Sequence, residues 1–299
     1  MKEIHLGTRP SKLALAQANI VKELIESKYR SISVTLVPIK TLGDEASRPN
    51  DLVQNKSIFT SELENALLAE KIDIAVHSMK DLPSTLDPAF IVAGTPERAD
   101  ARDALVTLKG YKLKELPSGA RIGTSSLRRK YQIKELRSDI DIVDIHGNVD
   151  TRIRKVKENK LDGIIVAACG LQRLGMEDLV SEFFEVEQII PAACQGILAL
   201  EVLSKNTYAT EIAREINHVD TYNAASCERI FLKEVGGDCN DVVAAYANVK
   251  KARVSFLGLL GLPEQRRIER YRSESLDDIQ TVARKAATTL LQKIHVKPR

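Results

Sequence analysis

Asp81 is a carboxylate placed just beyond the end of a predicted strand, where it could serve a reaction. The alternation of residues 72–75 predicts the strand, and Pro83 ends it because proline has no N–H for a sheet ladder. Ligands of open α/β sheets bind beyond the carboxyl ends of the strands, so Asp81, with Ser78 and Lys80 beside it, is predicted to face a binding site. An aspartate before Leu-Pro is also typical of a simple turn, and this alternative stays open.

Two other stretches combine a strand end, a Gly-Thr pair, a hydroxyl group and an arginine near the start of a helix. Residues 7–11 read Gly-Thr-Arg-Pro-Ser, and residues 123–129 read Gly-Thr-Ser-Ser-Leu-Arg-Arg. The N–H groups of a helix N-terminus form an anion site, which hydroxyl and guanidinium groups strengthen. Two such sites predict a two-domain clamp on a ligand with several negative groups. Taken alone, Arg128 and Arg129 could instead lie on a solvated helix face.

Arginine also follows two later predicted strands. Residues 140–145 lead into a helix that carries Arg152, and residues 163–168 are followed by Arg173. Guanidinium groups bind carboxylates and phosphates bidentately, so an arginine-lined cleft indicates a polycarboxylate or phosphate ligand. The sequence contains neither G-x-x-x-x-G-K-[ST] nor G-x-G-x-x-G, which disfavours a nucleotide.

The four cysteines are Cys169, Cys194, Cys227 and Cys239, and they form no C-x-x-C pair. This spacing argues against both a zinc site and a disulfide framework, so no metal is expected. The first three lie in or beside apolar segments, which favours packing over reaction. Cys239 follows a double glycine and precedes Asn-Asp, and such a small, polar loop favours an exposed thiol.

Composition predicts a globular protein of ordinary kind. The 299 residues are 43% hydrophobic and 28% charged, which is enough for about two domains or three small ones. A formal charge of +3 is too small for nucleic-acid binding by bulk charge. The sequence shows no apolar signal segment, and its aliphatic runs are too short to span a bilayer. We therefore expect a cytoplasmic protein that binds neither nucleic acid nor membrane.

Hydrophobic patterning predicts an α/β fold. The chain opens with a strand, a helix and a strand, which predicts a parallel sheet. Residues 41–56 form a long polar loop, which we interpret as a lid. The next helix carries Ser61 and Glu64 at capping-box spacing. The pattern restarts beyond residues 94–100, and the apolar strand at 197–202 is predicted to return to the first sheet.

The last part of the sequence predicts a small α+β domain. A helix near residues 222–234 precedes two or three strands, and an amphipathic helix near 276–294 ends the pattern. Between the first helix and the strands lies the loop that contains Cys239.

Seven stretches resemble the motifs of one known family. They are GTRPSKLALAQA (7–18), KSIFTSELE (56–64), DIAVHSMKDLP (73–83), IGTSSLRR (122–129), HGNVDTR (146–152), ACGLQRLG (168–175) and GGDC (236–239). Through them the chain resembles the hydroxymethylbilane synthases, also called porphobilinogen deaminases, from end to end. The resemblance implies two domains similar to those of type II periplasmic binding proteins, at 1–96 with 197–217 and at 100–193, and a third domain at 219–299.

The resemblance also implies an activity. Members of this family are transferases that join four porphobilinogen molecules head to tail, release ammonia each time, and free linear hydroxymethylbilane with water. Their dipyrromethane cofactor is built from substrate and held by a thioether to a cysteine that matches Cys239. The product passes to a cyclising synthase, and a monomer is expected.

Roles for individual residues follow from the same resemblance. Asp81 matches the aspartate that stabilises the cation left when ammonia departs and that hydrogen-bonds the pyrrole N–H groups. Positions that match or adjoin family positions for cofactor or substrate are Arg9, Ser11, Lys56, Ser78, Lys80, Thr124, Ser126, Arg128, Arg129, His146, Asn148, Arg152 and Arg173.

The sequence departs from the family pattern at three places. Ser61 replaces a common lysine, and His146 replaces an arginine, which makes one carboxylate contact weaker or dependent on pH. The loop around Cys239 reads Gly-Gly-Asp-Cys-Asn-Asp and lacks the usual proline, so its shape is expected to differ. A non-catalytic protein that binds a polyanion or senses an effector on the same two-domain clamp is the alternative function.

Overall fold

A computed structural model describes residues 2–42, 60–158, 160–236, 242–251, 253–262 and 267–295. Two predicted site residues, Lys56 and Cys239, lie outside these ranges, as does most of the predicted lid. Within the described ranges, no helix has both the length and the apolar character needed to cross a membrane.

Strands and helices alternate through most of the described chain. The strands are β1 (Lys2–Thr8), β2 (Ile32–Pro38), β3 (Ile74–Ser78), β4 (Phe90–Gly94), β5 (Asp103–Thr107), β6 (Arg121–Gly123), β7 (Asp141–Val143), β8 (Gly163–Ala167), β9 (Glu182–Phe184), β10 (Leu198–Leu203), β11 (Val243–Lys250), β12 (Arg253–Leu262) and β13 (Arg267–Ser275). The helices are α1 (Lys12–Lys28), α2 (Ser61–Leu68), α3 (Leu127–Leu136), α4 (Val149–Glu158), α5 (Ala168–Arg173), α6 (Thr207–Glu215), α7 (Val219–Val235) and α8 (Ile279–His295).

The first compact unit, Met1–Ala99 with Gly196–Asn223, contains a five-stranded sheet of order β2-β1-β3-β10-β4. β1 runs parallel to β2 and β3, whereas β10 runs antiparallel to β3 and β4. Apolar residues of α1 and α6 pack on one face of the sheet, and those of α2 pack on the other. A sheet covered on both faces explains why β10 reads as an apolar run without alternation.

The second unit, Asp100–Gln195 with Ala224–Arg299, contains a five-stranded sheet of order β7-β6-β8-β5-β9. β6 runs parallel to β7 and β8, and β5 runs antiparallel to β8 and β9. Ile133 of α3 packs on one face, and Val156 of α4 with Leu171 of α5 packs on the other. This packing fixes the ends of the parallel strands and therefore the positions of the residues that follow each strand.

A three-stranded antiparallel sheet of order β11-β12-β13 completes the second unit. α7 and α8 bury Phe231 and Leu290 against one of its faces. Leu259 and Ala244 lie in a separate cluster with Ile190, which Leu127 of α3 joins. The small sheet is therefore packed between its own helices and the α/β part of the same unit.

The predicted α/β class with a small α+β part is confirmed by these three sheets, and so is the parallel pairing of β1 with β2. The predicted capping box is wrong. Thr60 occupies the N-cap position of α2 without a side-chain cap bond, and the hydroxyl of Ser61 donates to the Glu62 carboxylate at 3.1 Å. Ser61 is already the first helical residue, so its hydroxyl is one position too late to cap. The boundaries of the three predicted domains stay predictions.

Leu290 provides a test of the core around the small sheet. It is fully buried, and Leu290→Ala should lower the free energy of unfolding by about 3 kcal/mol, because the cavity adds to the lost transfer energy. Leu276→Ala is the matched control, since Leu276 is 76% exposed and should cost little. Urea unfolding of both variants measures the difference, and equal costs would contradict the described packing.

Candidate functional site

Asp81 ends a short turn, Met79–Asp81, that directly follows β3. The buried methionine anchors the turn: its N–H donates to Ile197 O at 2.9 Å, and its carbonyl accepts from Leu82 N at 3.2 Å. Asp81 and the neighbouring Lys80 are half-buried. The turn thus places a carboxylate and an ammonium group at the carboxyl end of the central strand.

Two side-chain contacts brace β3 just before this turn. The amide of Gln17 donates to the Ser78 hydroxyl at 2.8 Å, and that hydroxyl lies 3.2 Å from the amide oxygen. His77 Nε2 lies 2.9 Å from Glu201 Oε2, and both side chains are buried. Sequence reasoning missed Gln17 and Glu201. The available signal was a polar side chain within an apolar helix face or strand, which a folded protein retains when a specific partner satisfies it.

The first predicted anion site has the expected local form. Ser11 is the N-cap of α1, and its hydroxyl accepts from Ala14 N at 3.3 Å. The buried Thr8 donates to Ala14 O at 3.1 Å, which ties the end of β1 to the first helical turn. Arg9 lies between these two hydroxyl residues and is half-buried.

The second predicted anion site repeats this form after β6. Ser126 is the N-cap of α3 and accepts from Arg129 N at 3.4 Å, while Thr124 Oγ1 accepts from Ser126 N at 3.2 Å. The hydroxyl of Ser125 donates to Ile145 O and accepts from Ile145 N, both at 2.9 Å. Hydroxyl groups therefore connect the ends of β6 and β7.

Arg128 and Arg129 are buried, with 4% and 6% of their surface exposed, so the alternative of a solvated helix face is wrong. Both pair with Asp103, a fully buried residue at the start of β5. Arg128 Nη1 lies 2.7 Å from Asp103 Oδ2, and Arg129 Nη2 lies 2.7 Å from Oδ1. Sequence reasoning missed Asp103, although an acid that opens a short apolar strand is a recognisable signal.

The electrostatics of this group follow from its burial and its charges. Burial alone would raise the pKa of Asp103, but the adjacent guanidinium groups outweigh that effect and hold its pKa well below the ordinary value. Burial lowers the pKa of Arg128, yet arginine remains charged at physiological pH. The group thus contains two cations and one anion.

The remaining predicted residues of this unit lie after β7 and β8. His146 Nε2 is 3.3 Å from the Ser125 hydroxyl, and Arg152 Nε donates to Gly147 O at 2.7 Å. Asn148 is exposed, and Arg173 at the end of α5 is partly buried. Burial lowers the pKa of Arg173.

Sheet geometry brings these residues to common edges. In the second unit β6, β7 and β8 are parallel, so the residues that follow them share one edge, and Asp103 joins this edge because it pairs with Ala167 at the end of β8. In the first unit β1 and β3 are parallel, so Arg9 and Asp81 follow strands that end on the same side. Within the described ranges, no cluster of three His, Cys, Asp or Glu side chains could hold a metal ion.

Three of the four cysteines are described, and all three are buried. Cys227 lies in α7, its thiol donates to Ile279 O at 3.4 Å, and burial raises its pKa to about 12. Cys194 precedes β10 and its thiol lies 3.8 Å from Ala225 O. A buried thiol is shielded from reactants, so none of these three has the setting of a reactive cysteine.

Two family models match the chain. The model described as "Porphobilinogen deaminase, dipyromethane cofactor binding domain" matches residues 4–211, and "Porphobilinogen deaminase, C-terminal domain" matches residues 222–292. A porphobilinogen deaminase of Syntrophomonas wolfei is 42% identical, with 98% of this chain and 96% of that protein covered. One of Roseiflexus castenholzii is 40% identical, with 91% and 90% covered.

Among solved structures, the chain is similar to the methionine binding protein MetQ, with 12% identity and a TM-score of 0.46 over 76% of this chain and 94% of that one.

Thiol labelling tests the burial of the three described cysteines. Iodoacetamide should leave Cys169, Cys194 and Cys227 unmodified in the native protein and label them after denaturation, because labelling requires an accessible thiolate. Peptide mass mapping before and after denaturation provides the measurement. Rapid native labelling of Cys227 would contradict its described setting.

Proposed function

Since the chain belongs to the porphobilinogen deaminase family, we propose that it joins four porphobilinogen molecules head to tail and releases ammonia at each step. Hydrolysis then frees linear hydroxymethylbilane for tetrapyrrole synthesis. The structural observation that carries this proposal is the buried group of Arg128, Arg129 and Asp103, which holds one more positive than negative charge. Porphobilinogen has an acetate and a propionate group, so a growing chain presents many carboxylates that need such partners.

The same group fits the dipyrromethane cofactor of the family. Uncompensated buried charge is costly, and a carboxylate is the natural partner for a guanidinium group with unused donors. Thr124 and Ser126 add hydroxyl groups at the same sheet edge. When bound, the cofactor supplies the pyrrole carbon to which the first substrate unit is joined. Arg128, Thr124 and Ser126 would hold the carboxylates of the cofactor.

We assign the attachment of this cofactor to Cys239. The three described cysteines are buried, and the pKa of Cys227 is raised, which disfavours them as anchors. In the sequence, Cys239 comes four residues after the end of α7 and has small and polar neighbours. Its sequence neighbours Asp238 and Asp241 supply no cation that would activate a thiol, so we assign the driving force of the attachment to the electrophilic substrate.

Asp81 takes the catalytic role. Loss of ammonia from porphobilinogen leaves a cation, and one carboxylate at a strand end can stabilise it and accept hydrogen bonds from pyrrole N–H groups. Lys80, adjacent in the same turn, takes the role of pairing with a substrate carboxylate. The remaining binding roles go to Arg9, Ser11, Lys56, Ser78, His146, Asn148, Arg152 and Arg173, whereas Arg129 contributes its positive charge to the buried group.

The proposal also covers the domain organisation, the location, the oligomeric state and the fate of the product. The chain forms three domains, works as a cytoplasmic monomer, and passes its product to a cyclising synthase. A non-catalytic clamp is not favoured, because the relatives described above are named as deaminases.

The role of Asp81 is tested by Asp81→Asn. This change should lower turnover of porphobilinogen by roughly 10²-fold or more, since it removes a charge needed only when the cation forms. The melting temperature should move by only a few degrees, because Asp81 is half-buried and lies outside the core. Turnover is followed by oxidising the product to coloured uroporphyrin.

Asp87→Asn is a matched control for this change. Asp87 is an exposed turn residue of the same unit, whose carboxylate accepts from Ala89 N at 2.8 Å. It should keep normal turnover. Near-normal turnover in Asp81→Asn would remove Asp81 from the mechanism.

The attachment to Cys239 is tested by intact mass. The purified protein should be heavier than its sequence by two linked pyrrole units, and the added mass should map to the peptide that contains Cys239. Cys239→Ser should lack the added mass and be inactive.

Cys227→Ala serves as the control, because it removes a buried thiol and should keep the added mass. An active protein without the adduct, or an adduct on Cys227, would refute the assignment.

A further inference from the structure

Asp103 has no assigned role in the proposed reaction, yet it occupies a central position beside the site. It is the first residue of β5 and pairs with Ala167 of β8 and Phe184 of β9. None of its surface is exposed. A fully buried carboxylate is rare in proteins unless charged or hydrogen-bonding partners satisfy it, so its partners indicate what it does.

The two carboxylate oxygens of Asp103 serve different arginines. Oδ2 accepts from Arg128 Nη1 at 2.7 Å, whereas Oδ1 accepts from Arg129 Nε at 3.1 Å and Nη2 at 2.7 Å. Oδ1 also accepts from Gln195 Nε2 at 3.0 Å. One rigid carboxylate therefore fixes the orientation of both guanidinium groups relative to each other.

The two arginines differ in how many donors remain. All three nitrogens of the Arg129 guanidinium group are used, because Nη1 donates to Ile165 O at 3.0 Å. Arg128 donates through Nη1 alone, to Asp103 and to Ile190 O at 2.8 Å. Its Nε and Nη2 make no hydrogen bond to any described residue. Arg128 is thus the arginine with donors left for a ligand.

The net charge of the group also indicates that Arg128 can bind a ligand carboxylate. Among the described residues, Asp103 is the only acid in an ion pair with Arg128 or Arg129. Two guanidinium groups and one carboxylate leave a net charge of +1 in a region almost closed to water. One ligand carboxylate would neutralise this net positive charge. The free N–H donors of the Arg128 guanidinium group would bind that carboxylate.

We propose that Asp103 is a positioning residue for the transfer reaction. Asp103 holds Arg129 in place and orients Arg128. In this orientation Nε and Nη2 of Arg128 remain available to bind a single ligand carboxylate, which the net positive charge of the group favours. This inference rests on the proposed function, because it assigns Arg128 to a carboxylate of the dipyrromethane or of the growing chain. Asp103 itself touches neither.

Removing the carboxylate should leave two like charges next to each other and release both side chains. Displacement of a binding group by about 1 Å can reduce a rate by roughly 10²-fold. Asp103→Ala should therefore lower kcat by at least about 10-fold. The variant also leaves a space the size of a small carboxylate between two cations, and sodium formate is a probe for that space.

The test compares Asp103→Ala with wild type in sodium formate and in sodium chloride of equal ionic strength. Formate should raise both the melting temperature and kcat of Asp103→Ala, and chloride should raise neither. Asp139→Ala is the matched control, since Asp139 accepts from Arg137 Nε and Nη2 at 2.7 Å in an exposed ion pair of the same unit. It should keep normal kcat and show no specific response to formate.

Intact mass distinguishes the two sources of the ligand carboxylate. If Arg128 holds the dipyrromethane, purified Asp103→Ala should carry the adduct on a smaller fraction of chains. If it holds the growing chain, the adduct should be complete and intermediates with one to three added units should accumulate.

Three results would overturn the inference. They are wild-type kcat and KM in Asp103→Ala, recovery of the melting temperature in formate without recovery of kcat, and a formate response equal to that of chloride. If Asp103→Ala does not fold even in formate, Asp103→Glu replaces it, because the charge is kept and only its position moves. Asp103→Glu should fold and lose at least about 10-fold in kcat, and normal kcat would refute a positioning role. Wild type that does not consume porphobilinogen would instead refute the proposed function.

Discussion

The burial of two guanidinium groups against one carboxylate is the interaction on which the second unit depends most. Arg128, Arg129 and Asp103 are each less than one-tenth exposed, so each requires the others to remain charged inside the protein. Their hydrogen bonds extend to main-chain carbonyls of β8 and of the segment before β10. The start of β5, the first turn of α3 and the chain near Ile190 are consequently fixed together.

This arrangement accounts for nearby features that would otherwise be unconnected. Gln195 donates to Asp103 and to Ala101 O, and Gln132 exchanges hydrogen bonds with the main chain of Ile190. These buried amide groups share acceptor oxygens with the arginines, namely Ile190 O and Asp103 Oδ1, as expected where unsatisfied polar groups are costly. Next to Gln195, the N–H of Cys194 donates to Glu228 of α7, and Glu228 also accepts from Ala247 N at 2.7 Å. The polar network therefore continues from the arginine pair to the small sheet.

In the first unit, fewer buried charged groups hold the turn that carries the predicted site residue. Its carboxyl-end turn after β3 is held by main-chain bonds, by the Gln17–Ser78 pair and by His77 with Glu201. Asp81 itself remains half-buried. This bracing of the turn supports the role proposed for Asp81, because preorganised groups need not rearrange when charge forms in a reaction.

The sequence by itself predicted the α/β class, the parallel pairing of β1 with β2, and the positions of Asp81, Arg9 and Thr124 just beyond strand ends. These features depend on local periodicity and on residues close in sequence, where glycine, proline and hydroxyl groups act over a few positions. The motifs also identified the family. The sequence did not reveal that Arg128 and Arg129 are buried, because an adjacent basic pair at a helix start is also typical of a solvated face.

Only the tertiary structure decided which residues share the buried charge. Asp103 is far from Arg128 in sequence, and it reaches the same sheet edge because β5 runs antiparallel to β8. Gln17 and Glu201 likewise meet their partners Ser78 and His77 only after helix packing and strand pairing. Local patterns carry no information on such pairings, since they arise from sheet order and from the cost of leaving a buried polar group unsatisfied.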